Sequence, residues 1–339
     1  MKQLIVVTEG GKKSGFGHIT RCISIATHFL HHEYSVHYII NGDDSLLNIM
    51  QPYSYEIYNW LNKKQRLLDK IREGHLILLD SIKISNEHIK QLESLNIPLI
   101  YIDDEKQRNV LESGFVIDWT IFRDMDNSFS TKKENVNYFL GSLYTPLRKE
   151  FFNATINPIR KNVEKIMLTL GGSDVRNLTP FILETLNTHY PNLQKDIIIG
   201  DGFNNSEEIK KHTSHNTNLI YNATANDMIR SMQTSDIAIA AGGQTLYELA
   251  KIAIPTIGIL LVQNGKDDTL GWAKTGFLRY VGKFNNPSLK TDIVNEIENL
   301  SPYEIRKKMQ DNGLKYISQN GAERLVDEII KVLHDTVRR

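Results

Sequence analysis

Apolar residues recur along this chain in short runs set between helical patterns. Residues 4–7, 35–40, 76–80, 98–103 and 115–121 have strand length, and residues 19–30, 61–71 and 86–95 repeat apolar positions at helical spacing. Strand and helix alternating at that interval predict a doubly wound parallel sheet, because parallel neighbours need a crossover and a helix supplies it. Over residues 153–162 the pattern lapses into Asn, Pro, Arg and Lys, which reads as a linker. The scheme then restarts with a strand at 163–170, a turn at Gly171-Gly172-Ser173-Asp174 and a helix at 178–186. Strand-like segments follow at 197–199, 219–221, 237–241 and 255–261. The expected organisation is an N-terminal Rossmann-like domain over residues 1–152 and a C-terminal one over 163–321. A last helix, within 322–339, folds back on the first domain, and a ligand cleft lies between the halves.

The chain has 339 residues, enough for two domains that each bury a core. Its 40 Lys and Arg balance 40 Asp and Glu. That balance argues against a nucleic-acid partner or an anionic membrane surface, since either needs an excess of basic residues to drive counterion release. A small-molecule partner is expected instead. Cys22 is the only cysteine, so no intrachain disulfide can form, and a packing role in the first helix is expected. The longest apolar run, 252–262, is broken by Pro255 and Gly258 and falls short of the ~18 residues of a membrane span. With an N-terminal apolar stretch too short for a secretory signal, the reading is cytoplasmic, without membrane insertion.

Three strand–glycine–helix junctions carry the chemistry. The first runs Gly15-Phe16-Gly17-His18-Ile19-Thr20-Arg21. A strand that stops at glycines and feeds a helix gathers unpaired N–H groups and the positive helix end, which suits a diphosphate or a developing anion. His18 is expected at the mouth of that pocket. Arg21, three residues on, shares its helical face and is expected to bring a fixed positive charge to the ligand. The plainer alternative is a tight turn with a surface histidine. The second junction is Gly171, Gly172 and Ser173; the third is Gly242, Gly243, Gln244 and Thr245, leading to Glu248. These two turns are candidates for the two phosphates of a nucleotide sugar, with Glu248 accepting hydrogen bonds from ribose hydroxyls. The alternative for Glu248 is an acid complementing the helix dipole.

Other chemistries find less support. There is no phosphate-binding P-loop, and the first junction has Thr20 where a dinucleotide fingerprint has its third glycine. Asp124-Met125-Asp126 matches a D-x-D metal motif but heads into a polar loop, and a solvated turn is favoured. Asp43-Asp44, Asp103-Asp104 and Asp267-Asp268 read as loop acids. Neither a metal site nor a cofactor is expected.

The three junctions, with Gly141 to Phe151 (GSLYTPLRKEF) and Gln263-Asn264, resemble the nucleotide-sugar hydrolases of nonulosonic acid biosynthesis, the PseG/SpsG family. That resemblance implies a GT-B type α/β fold, two Rossmann-like domains facing a central cleft, similar to MurG-like inverting transferases. It also implies metal-independent hydrolysis of a UDP-linked N-acetylated amino sugar, by water attack at the anomeric carbon. His18 would activate or position the water; Gly172, Ser173 and the turn Gly243 to Thr245 would hold the diphosphate, and Glu248 the ribose. Tyr144, Arg148 and Asn264 would lie near the cleft. Association with other enzymes of a polysaccharide pathway is the further partner expected. The chain departs from the family where Ser81 and Ile82 follow Asp80 in place of an aromatic, and where Gly265 replaces a glutamine. Both departures leave the hexose open. The alternatives are an inverting transferase of the same fold and a non-catalytic nucleotide-sugar binding subunit.

Overall fold

Seven strands of the first half form one parallel sheet: β1 (Lys2–Glu9), β2 (Tyr34–Asn41), β3 (Ser54–Ile57), β4 (Leu76–Asp80), β5 (Leu99–Ile102), β6 (Gly114–Asp118) and β7 (Val136–Leu140). Their order is β3-β2-β1-β4-β5-β6-β7. Six more form a second parallel sheet: β8 (Lys165–Thr169), β9 (Gln194–Ile199), β10 (Thr217–Tyr221), β11 (Ile237–Ala241), β12 (Thr256–Leu260) and β13 (Leu278–Lys283), in the order β10-β9-β8-β11-β12-β13. This computed structural model describes residues 1–12, 15–104, 110–125, 133–156, 159–318 and 320–337. The chain divides into two compact units, Met1–Arg148 with Asn320–Arg339, and Lys149–Gln319.

Central strands such as β4 (LILLD) and β11 (IAIAA) are buried at every residue, the consequence of helices covering both faces of a parallel sheet. The helix Gly17–Leu30 buries Ile19, Cys22, Ile25, Ala26 and Phe29 on the stripe that meets the sheet. In each sheet the chain reverses its winding at one place, between β1 and β4 and between β8 and β11. The glycine junctions follow the carboxyl ends of β1, β8 and β11, at those switch points, where open α/β sheets bind ligands.

The helix Gly321–Val337 belongs to the first unit, burying Ala322, Leu325, Val326, Ile329 and Ile330. His32 Nε2 lies 2.9 Å from Asp327 Oδ1 on this helix. The division between units falls at Arg148, upstream of the stretch read as a linker. Phe151 is fully buried against the helices Ala225–Thr234 and Gln244–Ile252. Arg160 pairs with Asp236 at 2.7 Å, and Arg306 holds the carbonyls of Arg160 and Lys161. These bonds make the described part of residues 153–162 a component of the second unit. Among the described residues no helix is long and apolar enough to cross a membrane.

Candidate active site

In the first unit the glycine loop after β1 closes on itself, Gly11 N–H donating to the Gly15 carbonyl at 3.0 Å and Gly15 N–H to that of Gly11 at 2.8 Å. The helix Gly17–Leu30 follows with no side-chain cap and no acid in its first turn, so its opening N–H groups keep their positive end unmasked. His18 is the second helical residue. Its side chain is 13% exposed, and its Nδ1 lies 2.9 Å from Oδ1 of Asp80, which is 1% exposed at the end of β4. Arg21 Nη2 lies 3.0 Å from the same nitrogen, so Nδ1 either accepts from Arg21 or carries the proton and donates to Asp80, and general-base chemistry uses the second tautomer. Nε2 is then the nitrogen left for proton transfer.

Arg21 locks this pair in place. Its Nε donates to Asp80 Oδ2 at 2.7 Å and its Nη2 to Asp80 Oδ1 at 2.6 Å, while Nη1 donates to Asp104 Oδ2 at 2.5 Å. The guanidinium also lies over the Trp119 ring, 5.0 Å from its centroid. Two carboxylates, one guanidinium and a neutral imidazole carry a net charge of −1, and a proton on His18 brings the cluster to zero. Burial is the largest influence on His18 and lowers its pKa, but the charge and hydrogen bond of Asp80, with the charge of Asp104, together leave the value raised above the ordinary 6.5. Burial would raise the Asp80 pKa, yet Arg21 and His18 hold it far below the usual carboxylate range. Cys22 is buried beneath, its thiol donating to Asp80 Oδ2 at 3.4 Å, with burial first and Asp80 second pushing its pKa well up.

Two expectations change here. Arg21 does not offer a free charge to a ligand, because two carboxylates neutralise it; it positions Asp80 and His18. Asp104, read as a loop acid, is the second of those carboxylates. Asp80, Asp104 and Trp119 are the site residues that the sequence reading passed over. The available signal was an aspartate closing a strand next to the switch point.

Other acids keep structural work. Asp43 accepts from Ser45 N–H at 3.0 Å and Lys12 N–H at 3.1 Å, Asp124 from Ser142 N–H at 2.8 Å, and Asp268 from the Tyr247 hydroxyl. Asp126, the second acid of the D-x-D match, lies outside the described residues. Among the described residues no three His, Cys, Asp or Glu side chains group as metal ligands. The Tyr144 hydroxyl donates to Glu328 Oε2 at 2.9 Å, on the helix Gly321–Val337, and its ring packs edge-on to Phe139. Arg148 is the last residue of the first unit before the division.

In the second unit the two glycine turns differ. After β8, Gly171 and Gly172 are exposed, and a Cβ built on either meets nothing within 4 Å. Gly171 has φ +83°, which favours glycine, but Gly172 has neither a positive φ nor a crowding neighbour. Nothing in the fold requires glycine at 172; a ligand lying against the backbone would. The helix Leu178–His189 starts beyond this turn, and Asp174 fills its N-terminus by accepting from Leu178 N–H at 3.0 Å and Thr179 N–H at 2.9 Å. This turn therefore presents backbone from Gly171 to Ser173, not an open helix end.

The helix Gln244–Ile252, by contrast, begins directly after Gly243 (φ +121°) with no side-chain cap and no acid in its first turn, so its positive end faces the Gly242–Gly243 turn. Gly242 is needed for packing, since a Cβ there would meet the Gly265 carbonyl at 2.5 Å. That contact sets the short helical turn Gln263–Gly265, which carries exposed Asn264, beside the Gly242 turn. Glu248 is 4% exposed and fifth in its helix, whose first turn holds no acid. The dipole explanation fades beyond the first turn and does not account for a buried acid there.

No protein-family model matches the chain. Against solved structures it has the GT-B type fold. MurG from Acinetobacter baumannii superposes with a TM-score of 0.69 at 13% identity, covering 98% of this chain and 100% of that one. A UDP-GlcNAc 2-epimerase from Neisseria meningitidis, solved with UDP-GlcNAc bound, gives 0.66 at 15% identity over 97% and 100%. By sequence the chain is a distant homologue of the spore coat polysaccharide biosynthesis protein SpsG of Bacillus subtilis, 21% identical over 336 residues, 97% of this chain and 98% of SpsG. It is also 22% identical over 280 residues to the Helicobacter pylori pseudaminic acid cytidylyltransferase and UDP-2,4-diacetamido-2,4,6-trideoxy-beta-L-altropyranose hydrolase, covering 80% of this chain and 47% of that protein. An uncharacterised protein of Methanocaldococcus jannaschii is 23% identical over 77% of this chain and 56% of its own length. The chain thus spans about half the length of the latter two.

Proposed function

We propose that this chain hydrolyses a UDP-linked N-acetylated amino sugar to UDP and free sugar, for a surface or spore-coat polysaccharide. The observation that carries the reading is the buried His18–Asp80 pair beside an uncapped helix start. In this reading His18 Nε2 takes a proton from water, and the water oxygen bonds to the anomeric carbon as the bond from that carbon to the diphosphate oxygen breaks. UDP leaves as an anion and needs no strong acid, because helix N–H groups stabilise the departing charge. Proton uptake by His18 discharges its cluster from −1 to zero, which a low-dielectric surrounding favours. The backbone of Gly171 to Ser173 and the turn from Gly242 to Thr245 hold the diphosphate, and Glu248 takes the ribose hydroxyls. Tyr144 and Arg148 with Gly15 and Gly17 in the first unit, and Asn264 in the second, are assigned to substrate binding. The hydrolase named among the relatives supports hydrolysis; the transferases that share the fold supply the alternative.

The test is incubation with UDP-linked amino sugars in water enriched in the heavy oxygen isotope. Label is expected in the free sugar, sampled before anomeric exchange, and activity is expected to survive a chelator. Label in the nucleotide phosphate overturns attack at the anomeric carbon, release that waits for an acceptor hydroxyl makes the chain a transferase, and absence of turnover makes it a binding subunit.

Two substitutions test the nucleotide half separately. Gly172→Ala should leave thermal stability unchanged or slightly raised, because the methyl meets open space and the unfolded chain loses freedom. It should weaken UDP binding at least about tenfold if the diphosphate lies on that backbone, roughly 1.4 kcal/mol; unchanged affinity in calorimetry removes Gly172 from the site. Glu248→Ala should cost about 1.5 to 3 kcal/mol of UDP affinity, the range for hydrogen bonds to a charged group. Free uracil binding should not respond, and a parallel loss there would mean that the helix itself had shifted.

A further inference from the structure

We propose that the second unit carries a binding site for a small oxyanion, the carboxylate or phosphate group of a metabolite, built on Arg306 at the amino-terminal edge of its sheet. The helix Tyr303–Leu314 carries Arg306 into the interior, where it is 0% exposed. Its Nη2 donates to the carbonyls of Arg160 and Lys161, each at 2.9 Å. That staple accounts for one nitrogen. Nε and Nη1 are also buried, and neither has a hydrogen-bond partner. The acid nearest in influence, Asp236, is already taken: Arg160 Nε and Nη2 donate to it at 2.7 and 2.8 Å, and the N–H groups of Glu164 and Lys165 at 2.8 and 2.9 Å. A buried guanidinium with two unused donors and no carboxylate of its own is costly, and native proteins seldom leave one so.

Arg306 lines a cavity of about 350 Å³ together with Arg160, Ser235, Ile254, Pro255 and Gln310. Ser235 Oγ is a second buried polar atom there without a partner. The volume is many times the ~30 Å³ share of one water and falls in the range of small-molecule pockets. Unused donors on an arginine and a hydroxyl call for an acceptor carrying negative charge, and Ile254 with Pro255 supplies an apolar wall for the body of an organic anion. Burial lowers the Arg306 pKa, as expected of a cation short of compensation, and a bound anion would reverse that. Ser235 and Pro255 precede β11 and β12, whereas the glycine turns follow the opposite ends of the strands, roughly 16 Å away at the rise of a five-residue strand. The site is therefore separate from the proposed nucleotide turns and does not depend on that reading.

The test titrates the whole protein with sodium phosphate and, separately, sodium acetate, at ionic strength fixed with chloride and with UDP present in excess to occupy the glycine turns. At least one oxyanion should bind, and Arg306→Met should weaken it tenfold or more. Because Arg306→Met also removes the carbonyl staple, Ser235→Val is the second variant: it leaves the staple intact, removes the unpartnered hydroxyl and should also weaken binding. Binding of phosphate alone identifies a phosphate ligand, of acetate alone a carboxylate, and of both a site that reads only the oxyanion. No response to either in the parent protein, or equal affinity in the parent and a folded variant, overturns the proposal.

Discussion

His18→Gln is expected to lower turnover by about 100-fold or more, the contribution of a positioned general base, while UDP binding is unchanged. The separation is expected because His18 belongs to the first unit and the proposed nucleotide turns to the second. The pH dependence gives the same claim a sign. His18 must be neutral to accept a proton, and its pKa is raised above 6.5 by Asp80 against the opposing effect of burial. Activity should therefore rise with pH through a midpoint above 6.5, and the residual activity of His18→Gln should lose that inflection. Stability should move the other way. A group whose folded pKa is raised contributes stability that is complete below its unfolded value and lost as pH rises through its folded value. The protonated, inactive form is thus the more tightly held one. A His18→Gln enzyme with parental turnover, or a parental profile flat from pH 6 to 8, takes His18 out of the chemistry.

Asp80→Asn should be the most damaging single change to the fold of the first unit and nearly as damaging to activity. Asp80 is 1% exposed and accepts from His18, from Nε and Nη2 of Arg21 and from the Cys22 thiol. Removing its charge leaves Arg21 compensated by Asp104 and costs chiefly the charge-assisted hydrogen bonds from Nε and Nη2, about 1.5–3 kcal/mol each. The amide can also turn its own N–H towards Nδ1 and move the imidazole proton to Nε2, which leaves His18 unable to act as base. Without the carboxylate, burial and Arg21 both depress the His18 pKa, so any remaining activity should show its inflection below 6.5. Asp80 itself gives the parent an acid limit: its depressed folded value means that its stabilisation is present above the ordinary 3.8 and lost as pH falls through the folded value. Denaturant unfolding and a pH–rate profile of the variant check both parts. Parental stability would show that the charge cluster contributes nothing to the fold.

Much of the architecture was written locally. Buried parallel strands need long apolar runs and tight ends, so β1, β4, β8 and β11 announced themselves, as did the helix after Gly17. The strands that stayed hidden are at sheet edges: β3 (SYEI) has no fully buried residue, and β13 (LRYVGK) is buried only at Leu278 and Val281. With one side or one face in water, such strands carry no continuous apolar signal. The stretch at 153–162 looked like a linker because its polar residues are locally indistinguishable from solvated ones. Only the positions of Asp236 and Arg306 show that it is held down.

The sequence by itself determined the alternating α/β scheme, the three glycine junctions and the place of His18 at the start of a helix, because each rests on residues within one or two turns of one another. It did not determine what His18 and Arg21 would face. Asp80 is 62 residues from His18 and Asp104 is 83 from Arg21, and these pairs exist only because the order β1-β4-β5 sets the ends of those strands side by side. That order turned a cation expected to meet a ligand into one neutralised by two carboxylates, and a loop acid into its partner. It likewise left Arg306 buried with two unused donors. Burial and turns are encoded by neighbours in the chain; which charges compensate one another is settled by strand order, through distances the chain does not carry locally.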